Sequence, residues 1–387
     1  MWIIISAINI LFAYFAEKSY DVDKIKCKFF LVLIVVANVI VWGLRDIGVG
    51  TDTITYIDSY FKQANTFHNF NDIIFNDTEK DKGFLAIAWL SSLLGSDSRI
   101  LMFLTELFVM SFIVLGLYEF KKTFRYSITW FMIFFVLLYQ HETINLMRQF
   151  CAMALLFYGY SLFLQKKYII FLLFQILAYF FHPTSLLFLM IPFAQLLSQT
   201  KGGIKYLYIV FAIFMGLCFL FLYFVLLPYM ENLGLLKEVY FDVYGRGSKY
   251  ESTNAIVRIS AIFPYLVLLT LFYFLYSKKY LPEDLLYMFL FLVIMDFIFR
   301  LSSVFVMKYF FRLAFYMGII MIVYLSIVVK QNILILRMLG FAYTFAILFI
   351  IVRAILLDYY GQNDIITNRN ENNLIYKSKI LGIDESK

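Results

Sequence analysis

Several chemistries are closed to this sequence by what it lacks. Its three cysteines, Cys27, Cys151 and Cys218, are solitary and lie mostly in apolar runs, which excludes a disulfide framework and a clustered cysteine metal site. It contains no Walker loop, HExxH, GxSxG or DxD-like pair, the usual signatures of nucleotide, zinc, serine-hydrolase and nucleotide-sugar sites. We therefore predict that the protein binds no metal and no cofactor.

Charged residues are also scarce, at 15% of the chain, whereas 63% is hydrophobic and 21% aromatic. A soluble domain averages about 45–50% apolar residues, and the mean hydropathy here is +0.82. The sequence thus predicts an all-α, polytopic integral membrane protein whose first partner is the lipid bilayer. Its formal net charge of +7 is confined to loops and forms no basic groove, so no nucleic-acid partner is expected.

The apolar runs predict about twelve transmembrane helices of roughly 20 residues each. Residues 1–15 lack a basic n-region and a small-residue cleavage site, so we interpret them as a retained first span rather than a signal peptide. Residues 83–95 are too short to span easily, and they are predicted to form a re-entrant or interfacial helix. The spans are predicted near 2–16, 29–44, 99–118, 127–140, 146–164, 168–182, 184–198, 205–228, 257–276, 284–302, 308–329 and 333–357.

The distribution of lysine and arginine orients these spans. Basic residues at 17–28 are placed in the cytoplasm by the positive-inside rule, which puts the N-terminus and the loops 45–82 and 229–256 outside. Residues 1–357 are predicted to form a single transmembrane helical domain. Residues 358–387 are predicted to be a polar, flexible tail on the outside.

The stretch from Gln140 to Ser185 contains the most informative polar residues. Two apolar helices joined by a Gln-Lys-Lys turn bring both of its ends to one membrane face. His141, Asn145 and Arg148 stand at i, i+4 and i+7, which predicts one shared helical stripe with Gln149 beside it. Polar groups at a helix end are costly against lipid, so we interpret this stripe as the wall of a polar chamber.

Two residues of this stretch are candidates for chemistry. Arg148 lies about one turn inside an otherwise apolar helix, where it would hold an anion, snorkel to the interface or pair with Glu142. His182 precedes Pro183 and would either exchange a proton near neutral pH or cap the helix break.

The first exterior loop opens with the stretch Gly43–Tyr56, whose three glycines allow backbone amides to approach an anion closely. Arg45 adds a fork of donors suited to phosphate oxygens. Asp46 or Asp52 would act as a general base or orient a substrate hydroxyl. The alternative is an ordinary solvated turn after the second span.

Cations in the later spans have similar alternatives. Asp296 and Arg300 are four residues apart, so a local ion pair is their first explanation. Lys308 and Arg312 share a helix face without a local acid, which favours a phosphate or pyrophosphate ligand, or anionic lipid headgroups. Arg258 lies near the start of another span.

Three blocks, in their order, resemble the EpsG/Wzy-type family of exopolysaccharide and capsular polysaccharide polymerases. They are Arg45–Tyr56, like the family's R-x-x-G-x-G-T-D-x-x-x-Y loop; Asn145–Ala152, like its N-x-x-R-Q-x-x-A helix; and Ala178–Ser185, like its A-x-x-F-H-x-S segment. Arg312 with Tyr316 matches its R-x-x-x-Y element more loosely. Glu79–Gly83 departs from its E-P-G-like sequence, so Glu79 is assigned no role.

The resemblance implies a metal-independent glycosyltransferase at the outer face of the bacterial inner (plasma) membrane. It would transfer a growing glycan from undecaprenyl pyrophosphate to the non-reducing-end sugar of a fresh lipid-linked unit, with a chain-length regulator and a flippase as further candidate partners. Arg148 is the implied catalytic cation, and His182 or Asp52 the implied base. The implied substrate-binding residues are Arg45, Thr51, Tyr56, His141, Asn145, Gln149, Arg258, Arg300, Arg312 and Tyr316.

Three other functions stay open from the sequence. A lipid-linked glycosyltransferase or polysaccharide ligase would use the same donor with a different acceptor. A flippase or other transporter would favour duplicated halves, and we find no internal repeat. An acyltransferase would need a closely paired histidine and acid, for which the adjacent His141 and Glu142 are poorly oriented.

Overall fold

The computed structural model describes residues 1–47, 49, 53–75, 81–198, 263–305, 309–331, 333–359, 377–378 and 383–384. The chain divides into two compact units. Unit 1 comprises Met1–Leu186 with Asn368–Lys387, and unit 2 comprises Leu187–Thr367.

Up to Phe181, the described residues of unit 1 are helical apart from short connections. A five-residue π-helical turn, Thr53–Ile57, runs directly into α3. The α-helices are α1 (Trp2–Ser19), α2 (Lys24–Gly43), α3 (Asp58–Ala64), α4 (Phe70–Ile74), α5 (Lys82–Leu94), α6 (Arg99–Thr123), α7 (Ile128–Leu138), α8 (Glu142–Asn145), α9 (Met147–Leu164) and α10 (Tyr168–Phe181). The tail contributes an antiparallel pair of two-residue strands, β1 (Lys377–Ser378) and β2 (Ile383–Asp384).

The centre of unit 1 is α9, which packs against α6 and α10. In its apolar stretch 83% of the residues are buried, against 28% in α1, so α9 is the interior helix and α1 lies at the periphery. Helix α6 also packs against α2, and α1 packs against α2 and α7. Helices α6 and α10 therefore cover α9, and most of its side chains are buried.

A buried polar network joins the peripheral helices to this centre. Asn9 of α1 and Asn38 of α2 exchange side-chain hydrogen bonds of 3.2 and 2.8 Å. The Asn38 Oδ1 atom also accepts from Gln140 Nε2 at 3.2 Å, and Ser6 donates to Gln140 Oε1 at 3.2 Å. All four side chains are buried. In an apolar environment such paired amides hold helices in one register, so the network fixes the segment that begins at Gln140.

Unit 2 is also built from packed helices in its described residues. A 3₁₀ helix, Pro183–Leu189, crosses the boundary between the units and leads into α11 (Met190–Ser198). The remaining helices are α12 (Phe263–Lys278), α13 (Glu283–Phe305), α14 (Tyr309–Lys330) and α15 (Leu334–Tyr359). Helix α14 packs against α13 and α15, α13 against α11, and α12 against α15.

The predicted helical architecture is confirmed for the described residues, but the count of twelve spans is not. Six of these helices are long and apolar enough to cross a membrane, and five shorter apolar helices accompany them. The predicted span 205–228 and the loop 229–256 lie outside the described residues, as does most of the tail 358–387. Helix α5 has the predicted short length of 13 residues, and its re-entrant or interfacial placement stays a prediction.

The predicted stripe of His141, Asn145 and Arg148 is wrong, because these residues do not share one helix. Helix α7 ends at Leu138, α8 is a single turn, and α9 begins only at Met147. Leu146 between them has φ −131° and ψ 48°, outside the helical region. The break places Arg148 in the first turn of α9 rather than inside a continuous helix.

Candidate functional site

Arg148, the second residue of α9, lies in a cage formed by Tyr56, Tyr60 and Asp81, which we call the Arg148 cage. Its Nη1 atom donates to Tyr60 Oη at 3.1 Å and to the Asp81 carboxylate. Its Cζ atom lies 4.1 Å from the centroid of the Tyr56 ring, a cation–π contact. A cation in the first turn of a helix faces the positive end of the helix dipole, and the Asp81 carboxylate offsets that repulsion.

The Arg148 cage is assembled from three separate segments. Tyr56 lies in the π-helical turn Thr53–Ile57, which continues into α3 with Tyr60, and the two rings lie 6.3 Å apart. Asp81 immediately precedes α5. The Arg148 and Asp81 side chains are 19% and 11% exposed. The predicted alternative partner of Arg148, Glu142, instead pairs with His141.

Arg45 is buried, with 1% of its surface exposed. Its Nε atom donates to the Val49 carbonyl at 3.1 Å, Nη1 donates to the Trp42 carbonyl, and Nη2 lies 3.8 Å from Met147 Sδ. The loop after α2 is therefore tied by Arg45 to the residue before Arg148. Its predicted contact with a phosphate stays a prediction.

The segment between α7 and α9 forms a turn stabilised by its own polar groups. His141 Nε2 lies 3.0 Å from Glu142 Oε1, and Asn145 Nδ2 donates to the His141 carbonyl at 3.1 Å. Gln149 follows in α9 and is 2% exposed. These contacts place His141, Asn145 and Gln149 around the start of α9. Their contacts with substrate stay predictions.

The His141–Glu142 pair is expected to make a pH-dependent contribution to stability. Burial opposes the charged imidazole, but the Glu142 carboxylate outweighs it and raises the pKa of His141 above its ordinary value. The pair's stabilisation is therefore present below pH about 6.5 and lost as the pH rises through the raised pKa. Because the His141 side chain is 38% exposed, solvent screening keeps it below about 1 kcal/mol.

We expect Glu142→Gln to lower the pKa of His141. The chain has three histidines, so NMR titration of histidine-labelled protein would follow each ring separately, and His68→Gln would assign the exposed one. An unchanged His141 pKa in Glu142→Gln would contradict the ion pair.

His182 ends α10, where its backbone turns extended at φ −159° and ψ 116°. Its Nδ1 atom lies 2.6 Å from Thr184 Oγ1. The preceding Phe181 packs against Gly83 so closely that a Cβ on Gly83 would lie 2.8 Å from the ring. The third sequence block thus reaches the start of α5, two residues beyond Asp81, while the first two blocks meet at Arg45–Met147 and Tyr56–Arg148.

The candidate cations of unit 2 have different surroundings. Arg300 Nε donates to Asp296 Oδ2 at 3.0 Å, so the expected local pair is formed. The Asp296 carboxylate also accepts from the Tyr265 hydroxyl, and Arg300 lies 5.2 Å over the Phe311 ring. Arg312 is half-buried in α14, and Tyr316 is fully buried. Convergence of Arg300 and Arg312 with Arg148 stays a prediction.

Four predicted residues lie outside the described part of the chain, namely Thr51, Asp52, Arg258 and Lys308. Their roles stay predictions.

Sequence reasoning missed two acids that the structure places near the site. Asp81 stands two residues before Gly83, the same acid-x-Gly spacing as the E-P-G-like sequence, which would have pointed to it. Glu106 is 3% exposed within α6, where Arg45 attracts it and the Thr143 side chain hydrogen-bonds to it. A carboxylate inside a 25-residue apolar helix is itself a signal of function or of a buried pair.

Comparison with known proteins gives one match. A family model described as the EpsG family matches residues 5–366. No curated protein and no solved structure matches the chain. The match covers nearly the whole chain, including all three blocks, and confirms the resemblance drawn from them.

Proposed function

The chain belongs to the EpsG family, and on that basis we propose that it polymerises lipid-linked oligosaccharide repeat units. The family and the apolar helices make it a multi-pass membrane protein of polysaccharide biosynthesis. In the proposal, both substrates are linked to undecaprenyl pyrophosphate and react at the outer face of the bacterial inner membrane. The lipid-linked units arrive through a flippase, and a chain-length regulator is a candidate partner.

The Arg148 cage is the observation that supports this reaction most. A guanidinium held by a tyrosine hydroxyl and stacked on a second tyrosine is fixed in orientation before substrate binds. Arginine binds phosphate oxygens through two parallel N–H donors. The cage therefore offers a preorganised cation for a pyrophosphate leaving group.

The proposed step is a displacement at the anomeric carbon of the donor glycan. A hydroxyl oxygen of the acceptor sugar forms the new glycosidic bond while the bond from the anomeric carbon to the pyrophosphate oxygen breaks. The electron pair of the broken bond leaves with undecaprenyl pyrophosphate, and the acceptor proton passes to a base. Arg148 stabilises the negative charge that develops on the leaving group.

We assign the proton to His182. If Nδ1–H donates to Thr184 Oγ1, the imidazole is in the tautomer whose Nε2 accepts a proton. If the Thr184 hydroxyl donates instead, Nε2 carries hydrogen and cannot act as the base. Thr184 is therefore the residue that selects the working tautomer.

Turnover of a defined undecaprenyl-pyrophosphate-linked repeat unit by the purified protein in vesicles tests the proposal. We expect a ladder of products, and we expect His182→Gln to lower the rate about 100-fold or more. His68→Gln is the matched control, because His68 is exposed and its backbone amide binds Asp72. A single product would indicate a ligase or simple transferase, and movement of the lipid without a new bond would indicate a flippase.

A further inference from the structure

The ion pair inside the Arg148 cage has a consequence for ligand binding. A guanidinium Nη1 atom carries two hydrogens, and here one is directed to Tyr60 and the other to Asp81. The Tyr56 ring covers one face of the same guanidinium. A phosphate oxygen can thus reach Nη1 only by replacing a group that is already bound.

Asp81 is the group that exchanges most readily. The Tyr60 hydroxyl belongs to a side chain that is 5% exposed and packed edge-on against Phe84 at 5.2 Å. Asp81 instead contacts Arg148 through a short side chain that is 11% exposed, and rotation of this side chain alone moves its carboxylate away from Nη1. We propose that Asp81 occupies Nη1 of Arg148 between turnovers and competes with the pyrophosphate of the lipid carrier, an inference that rests on the proposed function.

A second position for the Asp81 carboxylate is available nearby. Asp81 is the N-cap residue of α5, yet its side chain makes no capping hydrogen bond. Aspartate at an N-cap normally accepts from the second or third backbone amide of the helix. The third amide, that of Phe84, donates to the Asp81 carbonyl, so the second, that of Gly83, is the position for the carboxylate. When an anion takes Arg148, the carboxylate can rotate onto the Gly83 amide and is not left unpaired.

The exchange requires no movement of the helix. Gly83 is pressed against the Phe181 ring, and the Asp81 carbonyl accepts from the Phe84 amide at 3.0 Å. The start of α5 is thereby anchored while the Asp81 side chain moves.

The charge of each anion determines whether pyrophosphate or the Asp81 carboxylate binds Arg148. Pyrophosphate carries more negative charge than a carboxylate and binds Arg148 more strongly when present. After the glycosyl bond breaks, the leaving pyrophosphate gains a further charge, so unaided release is slow. Return of Asp81 to Arg148 speeds this release.

The test compares Asp81→Asn with the wild-type protein in reconstituted vesicles, using inorganic pyrophosphate as the probe. Asparagine is also a good N-cap residue, so the variant keeps the start of α5 supported, and Asp81→Ser provides a second such variant. We expect Asp81→Asn to bind pyrophosphate about tenfold more tightly, by calorimetry and by inhibition of turnover, and to lower both KM and kcat. Asp81→Glu keeps the competing charge and is expected to stay within about threefold of wild type.

A purely structural Asp81 predicts the opposite sign. Weaker or unchanged pyrophosphate binding in both Asp81→Asn and Asp81→Ser would overturn the inference while wild-type polymerisation still supports the proposed function. Wild-type protein that neither polymerises nor binds pyrophosphate would overturn both. Asp97→Asn, which breaks the exposed pair with Arg99, is the matched control. The same affinities are measured in vesicles with and without phosphatidylglycerol, which separates binding of pyrophosphate from binding of lipid headgroups. If Asp81→Asn bound pyrophosphate more tightly only without that lipid, a headgroup rather than Asp81 would be the competitor at Arg148, which would count against the inference.

Discussion

Replacing Arg148 with lysine is expected to lower the rate of polymer formation at least about 100-fold, the usual cost of losing one donor that stabilises transition-state charge. Lysine keeps the positive charge but loses the planar fork that binds two phosphate oxygens and the flat face that stacks on Tyr56. Arg148→Gln, which also loses the charge, is expected to cost more. Initial rates of ladder formation with the purified protein measure both.

Two controls separate catalysis from folding in this experiment. Arg99→Lys changes a partly exposed arginine that also pairs with an aspartate, Asp97, and should leave the rate unchanged. Arg148→Gln combined with Asp81→Asn removes both charges of the cage, so it should recover thermal stability without recovering activity. A rate within threefold of wild type in Arg148→Lys would show that Arg148 does not act on the leaving group.

Hydropathy predicted most helices of this chain, because burial in an apolar medium imposes long runs of apolar residues. The predicted span 168–182 is helix Tyr168–Phe181, and 308–329 is Tyr309–Lys330. The region 184–198 was harder, because it begins as a 3₁₀ helix at Pro183, whose ring lacks an N–H group for an α-helical bond. Periodicity alone does not distinguish these two helix types.

The geometry of the site depended on features that periodicity does not contain. Leu146 leaves the helical region although no glycine or proline stands in residues 140–150, so the shared stripe could not be excluded from sequence. The partner of Arg148 is 67 positions away, in Asp81. Family motifs indicated which blocks meet, whereas the identity of the pairing acid required coordinates.

Glu106 is a second residue whose partner the sequence did not reveal. Its position inside α6 marks it as unusual, but sequence alone does not say whether it serves catalysis or compensates a cation. The structure places it near Arg45, with the Thr143 side chain hydrogen-bonded to it. Electrostatic attraction between the buried Arg45 and Glu106 side chains therefore connects the loop after α2, α6 and the turn before α9.

Arg45→Met is expected to destabilise unit 1 by about 3–5 kcal/mol, because it removes the buried guanidinium that binds the Val49 and Trp42 carbonyls and attracts the Glu106 carboxylate. Glu106→Gln in the same background removes that charge, so the double variant should be more stable than the sum of the two single effects by at least about 1 kcal/mol. Thermal or denaturant unfolding in detergent measures the cycle. Arg99→Met, at an exposed pair, should cost less than about 1 kcal/mol. Additive effects of Arg45→Met and Glu106→Gln would mean that the two charges do not interact, and Arg45 would then act only through the Val49 and Trp42 carbonyls that it holds.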